Sequence, residues 1–153
     1  MNQMNVYGEL FTEVVRFEIE LWDRLDERQR ADTGVSIAQL QALRAIASGN
    51  GAARVQDVSD ELQITVGAAS KLIDRLERDG WATRAAHPSD RRSMVVTLSP
   101  QGEAAHANAA AAADRNLRSL LADRLNEDQA AELAATLASV RTSLGKAVLS
   151  LAS

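Results

Sequence analysis

The sequence predicts a mainly α-helical chain that carries one small β-hairpin. Three observations lead there. Apolar residues recur every three or four positions along most of the chain. The recurrence switches to every second position over residues 93–98. Ser, Thr, Pro and Gly stand where helices should begin and end. Composition agrees: 153 residues with 46% hydrophobic and 25% charged are ordinary for one folded domain.

The elements follow in order. Over residues 6–30, Leu10, Val14, Phe17, Leu21 and Leu25 fall on one face of a helix, and Gly34 breaks the pattern. Ser36-Ile37-Ala38-Gln39 reads as a capping box, in which the Ser side chain accepts from the Gln39 N–H and the Gln reaches back. The helix it opens carries Leu40, Leu43 and Ile46 and stops at Ser48-Gly49-Asn50-Gly51. Residues 54–62 form a short helix with Val55, Val58 and Leu62 inward. A tight turn at Gln63-Ile64 leads to Thr65, a good N-cap. The next helix turns Val66, Ala69, Ile73 and Leu76 inward, and Gly80 is placed to be its C′ residue.

Two strands come next, Trp81–Arg84 and Ser93–Leu98, the second with Met94, Val96 and Leu98 on one side. The turn between them, His87-Pro88-Ser89-Asp90-Arg91-Arg92, has its two arginines at the far end. Ser99-Pro100 restarts a helix, Ser as N-cap and Pro in the first position. Residues 104–113 contain eight alanines, strong helix formers whose small side chains let another helix come close. The last helix starts at or near Asn126 and carries Leu133, Leu137, Val140, Leu144, Val148 and Leu151 in one stripe.

Several functions are excluded by chemistry. With no cysteine there is no disulfide, thiolate metal site or thiol redox sensor. His87 and His106 are the only histidines and lie 19 residues apart, so no metal site is expected. No P-loop, nucleophile elbow or dinucleotide-binding glycine motif is present, so neither an enzyme nor a cofactor is expected. The five aromatics are too few and too clustered for a single-strand stacking platform. No run of ~18 apolar residues occurs and no secretory signal is visible, so a cytoplasmic protein without membrane contact is expected. Charge is uneven: residues 64–92 hold 6 of the 17 Lys and Arg but 4 of the 21 Asp and Glu, a basic segment in a chain of net −4. Screening beyond ~8 Å lets such a local surface meet an anion.

The middle, residues 34–103, is expected to form one lobe, and residues 1–33 and 104–153 to form striped outer helices within a single domain. The lobe offers little extra core for those stripes, so they are expected to pack against a second copy; the alternative is that they fold back on their own middle. Helix, short helix, tight turn, helix and hairpin is the order of a winged helix-turn-helix.

At this point the residues become specific. The run from Leu62 to Arg84, LQITVGAASKLIDRLERDGWATR, resembles the MarR family of bacterial transcriptional regulators. So do Asp90-Arg91-Arg92 in the hairpin and the exit Leu98-Ser99 followed by Gly102. The resemblance covers residues 36–103 in motif detail and the whole chain in architecture. It implies a homodimer that binds a pseudo-palindromic duplex operator and represses transcription, released by a small aromatic or anionic effector. The rival function is a helical dimer whose winged helix makes protein contacts.

The outward face of the recognition helix would then offer Thr65, Gly67, Ala68, Ser70, Lys71, Arg75 and Arg78 to the major groove. A bland alternative is a solvated face with an Asp74–Arg78 ion pair. The family places the arginine at Arg92 in the minor groove, with Arg91 beside it; a solvated turn is the alternative. Helix starts at Ser36 and Arg54 could donate N–H groups to phosphates. Asp74 is expected to brace an arginine of the wing or helix, and Asp90 to shape the hairpin. Phe17 and Trp22 either line an effector pocket or fill a dimer core.

Overall fold

The computed structural model describes residues 5–49 and 52–151, with side chains described up to Gly145. It is mainly α-helical with one antiparallel hairpin. The order is α1 (Val6–Thr33), α2 (Ile37–Ser48), α3 (Val55–Leu62), α4 (Val66–Arg78), β1 (Ala82–His87), β2 (Asp90–Leu98), α5 (Pro100–Leu121) and α6 (Glu127–Leu151). The chain divides into two compact units, Met1–Asn116 and Leu117–Ser153, the boundary falling inside α5.

In the first unit, α2, α3 and α4 close around one core with β2. Leu40, Leu43, Ile46, Val58, Ala69, Ile73, Leu76 and Val96 are buried together, with Ala109 and Ala113 of α5. Each helix start has a local cause. The Ser36 capping box is complete: Gln39 N–H donates to Ser36 Oγ (3.1 Å), and Ser36 N–H donates to Gln39 Oε1 (2.8 Å). Between α3 and α4, Gln63 adopts a left-handed conformation, φ 55°. Ser59 Oγ donates to the Ile64 carbonyl (2.7 Å) and closes that turn. At the end of α4, Gly80 takes φ +78° and the Trp81 N–H returns to the Leu76 carbonyl (2.8 Å), a Schellman termination. Gly102 is required by close packing, since a Cβ there would sit 1.8 Å from the Trp81 carbonyl oxygen.

The hairpin is longer than the sequence suggests. β1 runs to His87 and β2 starts at Asp90, so only Pro88 and Ser89 make the turn, and Arg91 and Arg92 lie in β2. The Ser89 N–H donates to His87 Nδ1 (3.1 Å), which accounts for so short a tip. A third short strand contact, Ala53 with Val96, ties the segment before α3 to the hairpin. Simple alternation fails on β2: Val95 and Val96 are both buried, and Met94 is 47% exposed.

Helix α1 meets α5 through polar contacts. Gln29 Nε2 donates to the Ala109 carbonyl (2.8 Å), which the alanine run leaves accessible, and Asn116 Nδ2 donates to Asp32 Oδ2 (2.9 Å). Only the end of the α1 stripe is covered: Leu25 is buried, Leu21 half-buried, and Leu10, Val14 and Phe17 are exposed. A second apolar row, Phe11, Val15, Ile19 and Trp22, is exposed as well.

In the second unit, Asn126 caps α6: its Oδ1 accepts from the Gln129 N–H (2.9 Å), and the Gln129 side chain accepts from the Asn126 N–H (3.1 Å). Leu133, Leu137, Val140 and Leu144 are all exposed. Val148 and Leu151 of the same stripe lie outside the residues whose side chains are described, as Asn50 and Gly51 of the α2 stop lie outside the described residues altogether.

Candidate nucleic-acid interface

Helix α4 presents two chemically different sides. Ala69, Leu72, Ile73 and Leu76 are buried against α2 and α3. Thr65, Gly67, Ala68, Lys71, Asp74, Arg75 and Arg78 are exposed, and Ser70 is half-buried. Leu72 thus takes the inward place expected of Val66, which is 46% exposed. Val66 has the right direction around the axis, but it stands in the first turn, where α4 runs beyond its core partners. The Thr65 hydroxyl caps the helix by accepting from the Ala68 N–H (3.1 Å).

Acidic residues near this face are engaged. Asp74 does not pair with Arg78. Its Oδ1 takes a 2.6 Å hydrogen bond from Arg84 of β1, and Arg84 also lies 2.9 Å from Glu77 Oε1. The same guanidinium reaches the Ser70 carbonyl and hydroxyl, both at 3.3 Å. Arg84 therefore clamps the hairpin to α4 while neutralising two carboxylates. Asp79 accepts from Gln39 (3.3 Å), and Asp90 accepts the Arg92 backbone N–H (3.0 Å). By contrast, Lys71, Arg75, Arg78, Arg91 and Arg92 make no ion pair among the described residues, and all five are exposed. Arg84 and Glu77 escaped the sequence reading because their pairing joins a helix to a strand and leaves no spacing signature.

The two helix starts differ. At α2, Ser36 is buried, and the N–H groups of Ser36, Ile37 and Gln39 are already bonded within the protein. Ile37 N–H donates to Asp26 of α1 (2.8 Å). Burial raises the pKa of that carboxyl, but the Arg30 hydrogen bond, the Ile37 N–H and the Arg30 charge outweigh it and hold it below the ordinary value. This start is poorly disposed to take a phosphate. At α3, Arg54 is exposed and provides no side-chain cap; Asp57 accepts its backbone N–H instead (2.7 Å), leaving the guanidinium facing solvent.

Phe17 and Trp22 are exposed on α1. Among the described residues, no group of three metal-ligating side chains occurs, and no helix is long and apolar enough to cross a membrane.

Comparison with known proteins places this geometry. Residues 33–93, the lobe from the end of α1 into β2, match the family model of the MarR family. The multiple antibiotic resistance protein MarR of Salmonella typhimurium is 27% identical over 111 residues, 72% of this chain and 76% of that protein. The fold is shared with Sco3205 of Streptomyces coelicolor, a MarR family regulator solved in complex with DNA: TM-score 0.80, 23% identity, 94% of this chain and 92% of that one. CouR of Rhodococcus jostii, solved with p-coumaroyl-CoA, superposes with TM-score 0.76 at 17% identity over 90% of this chain and 95% of that one. The family match on residues 33–93, the sequence relatives and the fold agree, and the chain has the winged helix-turn-helix fold of MarR family regulators.

Proposed function

We propose that this chain regulates transcription as a homodimer that binds a pseudo-palindromic duplex operator. The observation that carries the reading is the division of charge. On α4 and β2, five cations are left without ion pairs among the described residues, while the neighbouring carboxylates are bonded inside the protein. In this reading α4 enters the major groove with Lys71, Arg75 and Arg78, and the hairpin brings Arg91 and Arg92 to the adjacent minor groove. Arg54 supplies a further phosphate contact. Asp74 acts through Arg84, holding the hairpin at a set distance from α4, and Asp90 shapes the hairpin through the Arg92 N–H.

The exposed apolar rows of α1 and α6 support the dimer, since contiguous apolar surface of this kind marks an interface. A two-fold axis sets half-site centres about 34–36 Å apart along the duplex. Repression follows from occupancy of the operator. The ligand-bound state of CouR supports an effector for this chain too, with Phe17 and Trp22 on α1 as candidate lining. Such an effector releases DNA only if it binds the released state more tightly.

The test is duplex binding by fluorescence anisotropy across a salt series. Affinity is expected to fall steeply, with a logarithmic slope of about −0.9 per phosphate neutralised, and Lys71→Ala to reduce the slope by about 1. Arg92→Ala is expected to cost ~1–3 kcal/mol. Absence of binding to any duplex at low salt would favour a winged helix used for protein contacts.

A further inference from the structure

The first turn of α4 contains a glycine that the fold itself does not require. Gly67 has no positive φ, and a Cβ built on it would meet nothing nearer than Thr65 Oγ1 at 4.0 Å. Glycine weakens a helix relative to alanine. Other glycines have internal reasons: Gly34 and Gly80 adopt positive φ, and Gly49 and Gly102 face close backbone. Gly8 and Gly145 also face open space, and both lie on the helices whose exposed apolar rows the proposed dimer covers.

The residues around Gly67 share a character. Val66 is 46% exposed, Ala68 is exposed, and the Thr65 hydroxyl is held by the Ala68 N–H. From Thr65 to Ala68 no side chain is longer than valine. Such a surface has no bidentate donor for guanine and no amide for adenine. What it offers is a shallow apolar notch with nothing projecting from its centre. In the major groove, thymine alone presents a methyl group.

We infer that Gly67 leaves clearance for the α4 backbone to approach one base pair, and that Val66 and Ala68 flank the 5-methyl group of a thymine there. The inference rests on the duplex-binding function proposed above and adds to it the chemical identity of one base in each half-site. Lys71, one turn further on, then remains available for phosphate or a guanine edge.

The experiment starts from a duplex selected by the full chain out of a random-sequence library. Each thymine of the half-site is replaced in turn by deoxyuridine, which removes only the methyl group. One position per half-site is expected to lower affinity about 3- to 5-fold, the effect of one lost methyl contact. Val66→Ala is expected to abolish that sensitivity. Gly67→Ala is expected to raise Tm by about 1–4 °C while lowering affinity for the selected duplex at least about tenfold. Opposite signs on stability and binding separate an external clearance from a packing role. The inference is overturned if no deoxyuridine position changes affinity, or if Gly67→Ala binds as tightly as the parent chain. Should the chain select no duplex at all, the proposed function fails and this inference with it; a selected operator indifferent to every thymine methyl overturns this inference alone.

Discussion

The lobe between Val35 and Leu98 and the two long helices α1 and α6 bury apolar residues in different ways. In the lobe, each helix turns its stripe onto a shared centre: Leu43 and Ile73 are 0% exposed. On α1 and α6 the stripes are as regular but remain open, with Tyr7 77% and Leu144 63% exposed. The periodicity is the same and its destination differs. A stripe states that something covers that face, not whether the cover comes from the same chain. The lobe therefore buries its stripes within the chain, with Ala109 and Ala113 of α5 added to its core, whereas the stripes of α1 and α6 stay exposed.

Substitutions can break this contrast, and the largest effect is expected in the lobe. Leu43→Ala leaves a cavity at a site with no exposure and should cost ~2–5 kcal/mol in chemical denaturation. Leu137→Arg on α6 should leave the lobe folded but shift the chain toward monomer by about 2 kcal/mol, roughly 30-fold in the dimer dissociation constant, measured by sedimentation. A lobe destabilised by Leu137→Arg as much as by Leu43→Ala would erase the distinction.

Removing the clamp between α4 and the hairpin is the next step down. Arg84→Ala frees Asp74 and Glu77 beside the proposed DNA surface and should weaken duplex binding by about 1–2 kcal/mol. Adding Asp74→Ala should recover part of that loss, because one unpaired carboxylate is gone. Recovery would be absent if Asp74 had no role near DNA.

The smallest effect concerns pH. Burial and the positive charge of Arg44 both hold the His106 imidazole below its ordinary pKa, so the folded state favours the neutral ring. Its contribution to stability is complete above the unfolded value of about 6.5 and shrinks as pH falls through that value toward the folded pKa. His106→Gln should flatten the pH dependence of the denaturation midpoint just below about pH 6.5; an unchanged slope would remove His106 from the linkage.

Much of the fold was legible because its signals are local. Ser36 with Gln39, Thr65, Gly80 and Ser99-Pro100 each act within a few residues, and each stands at an element boundary in the structure. What could not be read depends on position along an axis or on distant partners. Val66 and Ile73 are seven residues apart and point the same way, yet only Ile73 lies over the core. Met94 alternates correctly with Val96 but sits toward the hairpin tip, where no helix covers it. On α1 one apolar row is apparent and the second, from Phe11 to Trp22, is not, because two adjacent apolar rows on one helix blur a single stripe. For the candidate site, the cationic residues were visible as a local excess of charge. That Arg84 is held by Asp74 and Glu77 while Arg75 and Arg78 stay unpaired needed three dimensions.

Two chains are expected to share one duplex through paired cationic surfaces. Sedimentation of the protein with its selected operator measures this directly. Two chains per duplex, with a dimer already present in free protein, is the predicted result. One chain per duplex drawn from a monomeric free protein would contradict it.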